Sequence, residues 1–104
     1  MVEVKITEKA LTDLAAIGEF IARDSEKYAK ATIQNIFETF KYLEDFPELG
    51  RIVPEINNKS IREVILGNYR IIYWMLSKKR IDIIAIHHSA SILTKRHIKR
   101  RSKD

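Results

Sequence analysis

The chain contains no cysteine among its 104 residues. Disulfides and thiolate metal sites are therefore excluded, and the core must hold by packing alone. Glycine and proline are scarce, at three and two residues, and there are no repeats or low-complexity linkers to suggest a second domain. No apolar run approaches the roughly 18 residues that a membrane span requires. The opening MVEVKITEKA lacks a basic stretch followed by an apolar one, so no secretory signal is expected and the reading is a cytoplasmic protein. There is no Gly-rich phosphate loop and no nucleophile elbow. Three histidines, His87, His88 and His97, without Cys or well-spaced carboxylates, do not compose a metal site. No cofactor is called for.

What is present is charge, unevenly spread. The formal net charge is +5. Residues 95–104, KRHIKRRSKD, carry six Lys/Arg against one Asp, which leaves 13 basic and 13 acidic residues in positions 1–94. The body is formally neutral and the excess sits in the tail. Lys95, Arg96, Lys99, Arg100 and Arg101 are thus candidate nucleic-acid contacts. The competing reading is a solvated end that aids solubility. The expected organisation is one domain over 1–94 followed by a basic tail over 95–104.

Residues 2–6 alternate apolar Val2, Val4 and Ile6 with Glu3 and Lys5, the period of a half-buried strand. Thr7 can cap a helix with an apolar stripe of Leu11, Leu14, Ile17 and Ile21. Ser25 can cap a second helix, in which Ala29, Ile33, Ile36, Phe40 and Leu43 recur at helical spacing, with Phe37 widening the stripe. Pro47 disfavours helical geometry at the residue before it and ends the pattern. A loop over 48–59 leads to three strands, roughly 60–66, 69–76 and 80–87, with a basic helix conceivable over 91–101. The order β-α-α-β-β-β describes an α+β fold, a helical hairpin packed on a mostly antiparallel four-stranded sheet.

The pair Gly67-Asn68 fits a two-residue hairpin turn, which fixes register. Leu66 then opposes Tyr69, Val64 opposes Ile71 and Arg62 opposes Tyr73 on one face. Ile65 opposes Arg70, Glu63 opposes Ile72 and Ile61 opposes Trp74 on the other. If Ser77–Lys79 forms the next loop, Trp74 opposes Asp82, Ile72 opposes Ile84, Arg70 opposes Ile86, and His88 joins the face of Arg70. Helices can cover one face only. The face with Ile61, Ile65, Arg70, Ile72, Trp74, Ile84, Ile86 and His88 is therefore expected to meet a partner, because an uncovered patch of that size is unusual on a monomer.

The pieces FPELGR at 46–51, PE at 54–55, IREV at 61–64, GNYRIIY at 67–73 and IHH at 86–88, with Ala10, Leu14, Ile17 and Ile21 on the first helix, carry a resemblance. In their order and spacing, over about residues 2–93, the chain resembles the RelE/ParE superfamily of toxins from type II toxin–antitoxin pairs. It is most similar to the ParE branch, also described as plasmid-stabilisation proteins. That resemblance implies inhibition of DNA gyrase by binding, a cognate antitoxin as partner, and contact with operator DNA only through the antitoxin complex. Relatives of the ParE kind often carry an arginine where this chain has Ser91.

The RelE branch implies an alternative, ribosome-dependent cleavage of mRNA. Such cleavage needs a base, an acid and a cation for phosphorane charge. Arg70 would stabilise charge, His88 would be the acid, and Glu63 or Glu55 the base. Against it, Arg70 pairs with Glu63 or Asp82 across the sheet, Arg62 and Arg51 brace backbone and loop (Arg51 against Glu48 or Glu55), and His87 packs inward. A third reading is an inactive relative that keeps antitoxin binding and promoter regulation.

Overall fold

In the computed structural model, residues 1–88 are described; Ser91, the 91–101 segment and the five tail residues named as candidate nucleic-acid contacts lie outside them. The elements run β1 (Glu3–Ile6), α1 (Glu8–Ala22), α2 (Glu26–Asp45), β2 (Arg51–Ile52), β3 (Ile61–Leu66), β4 (Tyr69–Ser77) and β5 (Arg80–His88). The sheet is five-stranded, in the order β1-β5-β4-β3-β2. Among the described strands only β1 runs parallel to its neighbour. The two-residue β2 is the strand that the sequence pattern does not reveal. No helix among the described residues is long and apolar enough to cross a membrane.

Both helices start at the expected caps. Thr7 Oγ1 accepts the Ala10 N–H at 3.2 Å, and Ser25 Oγ accepts that of Tyr28 at 3.0 Å. Thr7 also extends the sheet, since its backbone N–H and its hydroxyl both donate to the Ile83 carbonyl. Where β1 stops, Asp13 on α1 takes over as acceptor for the Ile86 N–H at 2.9 Å. The helical layer is thereby tied to β5 by polar groups as well as by the core of Leu14, Ile36, Phe40 and Leu43 on Ile71, Tyr73, Ile81 and Ile83. Leu11 departs from its expected stripe and is 49% exposed; Ala10 takes its place in the core.

The β3–β4 register is the one dictated by the Gly67-Asn68 turn, at all six pairs, with Gly67 at φ +59°. The β4–β5 register differs from expectation. The turn is the two residues Lys78-Lys79, and Leu76 is an extra residue on β4, so Trp74 still meets Asp82. Ile84 is then an extra residue on β5, which places Ile72 opposite Ala85, Ile71 opposite Ile86, Arg70 opposite His87 and Tyr69 opposite His88. A one-residue insertion flips every side chain beyond it to the other face. Ile86 consequently joins the helix-side core, His88 leaves the face of Arg70, and His87 moves onto it.

Candidate functional site

The loop 46–51 is held by two side chains from the sheet. Tyr73, buried on the helix side, donates its hydroxyl to the Pro47 carbonyl at 2.8 Å and accepts the Gly50 N–H at 2.9 Å. Burial pushes the Tyr73 phenol up from its ordinary pKa. Arg62 reaches from β3 to the carbonyls of Lys59 and Gly50, a backbone-bracing role as expected. Gly50 tolerates no side chain, because a Cβ there would lie 2.6 Å from the Glu63 carbonyl oxygen and 2.8 Å from the Tyr73 hydroxyl. The FPELGR motif is therefore a docking loop, with Pro47 and Gly50 as its two points of attachment to Tyr73.

On the opposite face Arg51, Glu63, Arg70 and Glu55 form an alternating chain of charges. Arg51 Nε donates to Glu63 Oε2 at 2.7 Å and Arg70 Nε to Glu63 Oε1 at 2.6 Å. Both terminal nitrogens of Arg70 donate to the two carboxylate oxygens of Glu55, at 2.9 and 2.8 Å. The Glu63 side chain is fully buried and that of Arg70 is 8% exposed. Two charges so removed from water persist because each is paired with and hydrogen-bonded to opposite charge. The bidentate bond from Arg70 holds the Glu55 carboxyl at a pKa of about 2, well below the ordinary carboxylate range, and the same pairing raises Arg70 further. Arg51 thus braces against Glu63 rather than Glu48 or Glu55, and Asp82 pairs with Arg80 at 3.0 Å rather than with Arg70.

The residues proposed from sequence as an open partner face separate into three groups. Ile61, Ile72, Trp74 and Ile84 do share a face with Arg70, but none is more than 9% exposed, and they form a second core with Val53 and Ala85, edged by Ile56 from the 53–60 loop. Ile65 is at the rim of that face and is 49% exposed. Ile86 and His88 are on the helix side, where the His88 ring meets Tyr69 edge-on with centroids 5.5 Å apart. The ribonuclease set of Arg70, Glu63 and His88 is accordingly split: the first two are bonded to each other, and the histidine belongs to the opposite face.

Sequence reasoning missed a cleft on the helix side. One part, of about 430 Å³, lies between the α1–α2 corner and the β3–β4 turn, and includes Phe20, Tyr28, Asn35, Leu66, Tyr69 and His88. A second, of about 370 Å³, lies between α2, Leu49 and β3, and includes Asn35, Glu38, Tyr42, Val64 and Leu66. Both have Asn35 and Leu66 in their lining, so the two hollows are neighbours along α2 and β3. Their α2 wall is the row Tyr28, Asn35 and Tyr42, whose heptad spacing spans roughly 21 Å of helix. Phe20, Tyr28, Tyr42 and Leu49 are each more than half exposed. The available signal was this row of residues outside the core stripe of α2.

The family model for the ParE toxin of type II toxin–antitoxin systems, parDE, matches residues 4–93. The chain belongs to the ParE toxin family. The same architecture occurs in a solved structure described as the chromosomal ParDE toxin–antitoxin system from P. aeruginosa, at 25% identity and a TM-score of 0.69, over 85% of this chain and 96% of that one. No curated protein matches. In this ParE family member the motif residues are explained by structure: Tyr73, Arg62 and Gly50 fix the 46–51 loop, and Arg70 with Glu63 and Glu55 fixes the loop that follows. Among the described residues no three His, Cys, Asp or Glu side chains gather as metal ligands would.

Proposed function

We propose that this chain is the toxin of a type II pair, that it is neutralised by a cognate antitoxin, and that it acts on its target by binding, with DNA gyrase the target, rather than by cutting RNA. The observation that carries this reading is the separation of the groups that cleavage would need. Arg70 is held on one face by two carboxylates at 2.6–2.9 Å, which commits its charge to Glu63 and Glu55, and His88 is on the other face of the sheet. General acid–base cleavage needs those groups around one scissile bond. Membership of the ParE family supports the antitoxin as partner, and the groove between α2 and β3 supplies the surface for it. Operator DNA is contacted through the antitoxin complex, and the basic tail is kept for anionic surfaces.

Expression of the chain alone is expected to arrest growth, and co-expression of the reading frame beside its gene to relieve the arrest. Messenger RNA isolated during arrest should remain intact. Arrest accompanied by ribosome-dependent mRNA cuts that disappear in Arg70→Ala and His88→Ala would replace this reading with the ribonuclease one.

A further inference from the structure

We propose that the tip of the β4–β5 hairpin, with Lys78 and Lys79 at its turn and Lys59 beside it, is a contact for the phosphate backbone of duplex DNA. The contact is independent of base sequence and of the antitoxin. It therefore goes beyond the gyrase reading and does not rest on it.

Charge in the described body cancels in sum but is divided in space. Residues 8–45, which hold both helices, carry eight acidic and five basic residues, whereas residues 46–88 carry four acidic and seven basic. Of those seven, Arg51, Arg70 and Arg80 are neutralised in ion pairs, and Arg62 is engaged by the carbonyls of Lys59 and Gly50. Lys59, Lys78 and Lys79 are left exposed, and none of them is ion-paired among the described residues. Backbone pairing gathers these three at one end of the sheet. The Met75 N–H donates to the Ser60 carbonyl at 2.8 Å, so Lys59 lies beside the start of the tip, roughly 10 Å from the turn lysines at the rise of a strand. The anions of this end are elsewhere: Asp82 is paired with Arg80, and Glu3 and Glu44 are on the β1 flank, where the Val2 N–H donates to the Glu44 carbonyl.

The shape of the tip agrees with its charge. Pairing with β4 starts at Ile61 on β3, and pairing with β5 starts at Glu3 on β1, so residues 76–79 stand beyond the strand pairs on either side, all four exposed. A two-stranded ribbon of this kind is narrow enough for the major groove of B-DNA. Lysine is a compact charge on a flexible stem, suited to phosphate oxygens. An acidic protein surface fits less well, because lysine is depleted at protein interfaces and their centres are apolar, whereas Leu76 is the one apolar residue among the four. The acidic helical layer is repelled by the same phosphates, which orients the chain with its tip toward DNA.

The test is fluorescence anisotropy of a short labelled DNA duplex titrated with the full chain across a series of salt concentrations. The parent is expected to bind, with an affinity that falls steeply as salt rises. Neither turn lysine has a positive φ, so alanine fits the backbone at both positions. Lys78→Ala with Lys79→Ala should weaken binding by about tenfold or more at low salt, and reduce the slope of log affinity against log salt by about 2. Lys27→Ala with Lys30→Ala removes the same charge from exposed positions on α2, at the end of the molecule where Tyr28 faces the β3–β4 turn. That pair should stay within about threefold of the parent, because screening confines the effect of a charge to its surroundings. Equal losses in the two double variants would mean that net charge alone attracts DNA, and would overturn the proposal. A parent that does not bind the duplex overturns it as well. Unchanged DNA affinity in the tip variant, with weaker binding to gyrase in the absence of DNA, would overturn it in favour of an acidic protein surface. The gyrase reading is tested separately by supercoiling and stands or falls apart from these results.

Discussion

At the scale of single residues, the site is governed by how two buried charges are matched. Arg70 is shared between Glu63, on the neighbouring strand, and Glu55, on the loop. Glu55 has its pKa lowered from 4.5 to about 2. A carboxyl whose pKa falls on folding contributes stability above its unfolded value and loses it as pH drops toward the folded one. Glu55→Gln should therefore lower the melting temperature near neutrality, and the gap from the parent should close between about pH 4.5 and pH 2. A gap that is constant across that range would mean the ion pair contributes nothing. Tyr73→Phe deletes the hydroxyl that serves both Pro47 and Gly50. Leaving buried backbone groups without a partner costs about 1–3 kcal/mol, or several degrees of melting temperature in a domain of this size. An unchanged melting temperature would contradict the docking role. The Arg70–Glu63 neighbourhood was legible in the sequence, because the hairpin turn fixes which residues are adjacent. Glu55 as the second partner was not, because a loop has no periodicity from which contacts can be read.

At the scale of elements, β5 shows where pattern reading fails and why. The run IDIIAIHH is apolar on both faces, so shifting it by one residue leaves an equally plausible pattern. The extra residue Ile84 has no local signature, unlike the Gly-Asn turn that set β3 against β4. What pins the end of β5 is distant in sequence: Asp13 accepts the Ile86 N–H and Thr7 caps Ile83. Asp13→Ala removes that acceptor and should destabilise the fold by about 1–3 kcal/mol, while Asp13→Asn, which keeps a carbonyl oxygen, should recover most of the loss. Denaturant titrations of the two variants measure this directly; equal stability of Ala and Asn would remove the role given to Asp13. The helices were legible to their caps, since Thr7 and Ser25 are local signals. The failure at Leu11 is one of stripe width, in which Ala10 rather than Leu11 faces the sheet.

At the scale of the whole molecule, the sequence pattern identified two apolar faces on one sheet but not their fates. The helices cover one, and the other is a buried second core closed in part by Val53 and Ile56. The surface left for a partner is at the boundary, where α2 overhangs β3 and, beyond Glu63, no described strand pairs with the β3 edge. Trp74→Asp, which an open face would tolerate, should instead unfold the protein, because it buries a carboxylate among Ile61, Ile72 and Ile84. Arg70 is part of this framework, and the effect proposed for the protein is one of binding. The most direct test is a gyrase supercoiling reaction titrated with the purified chain. Supercoiling should fall and cleaved DNA accumulate as the chain is added, and prior addition of the antitoxin should prevent both. Undiminished supercoiling at large excess of a folded, antitoxin-binding chain would contradict the proposed effect.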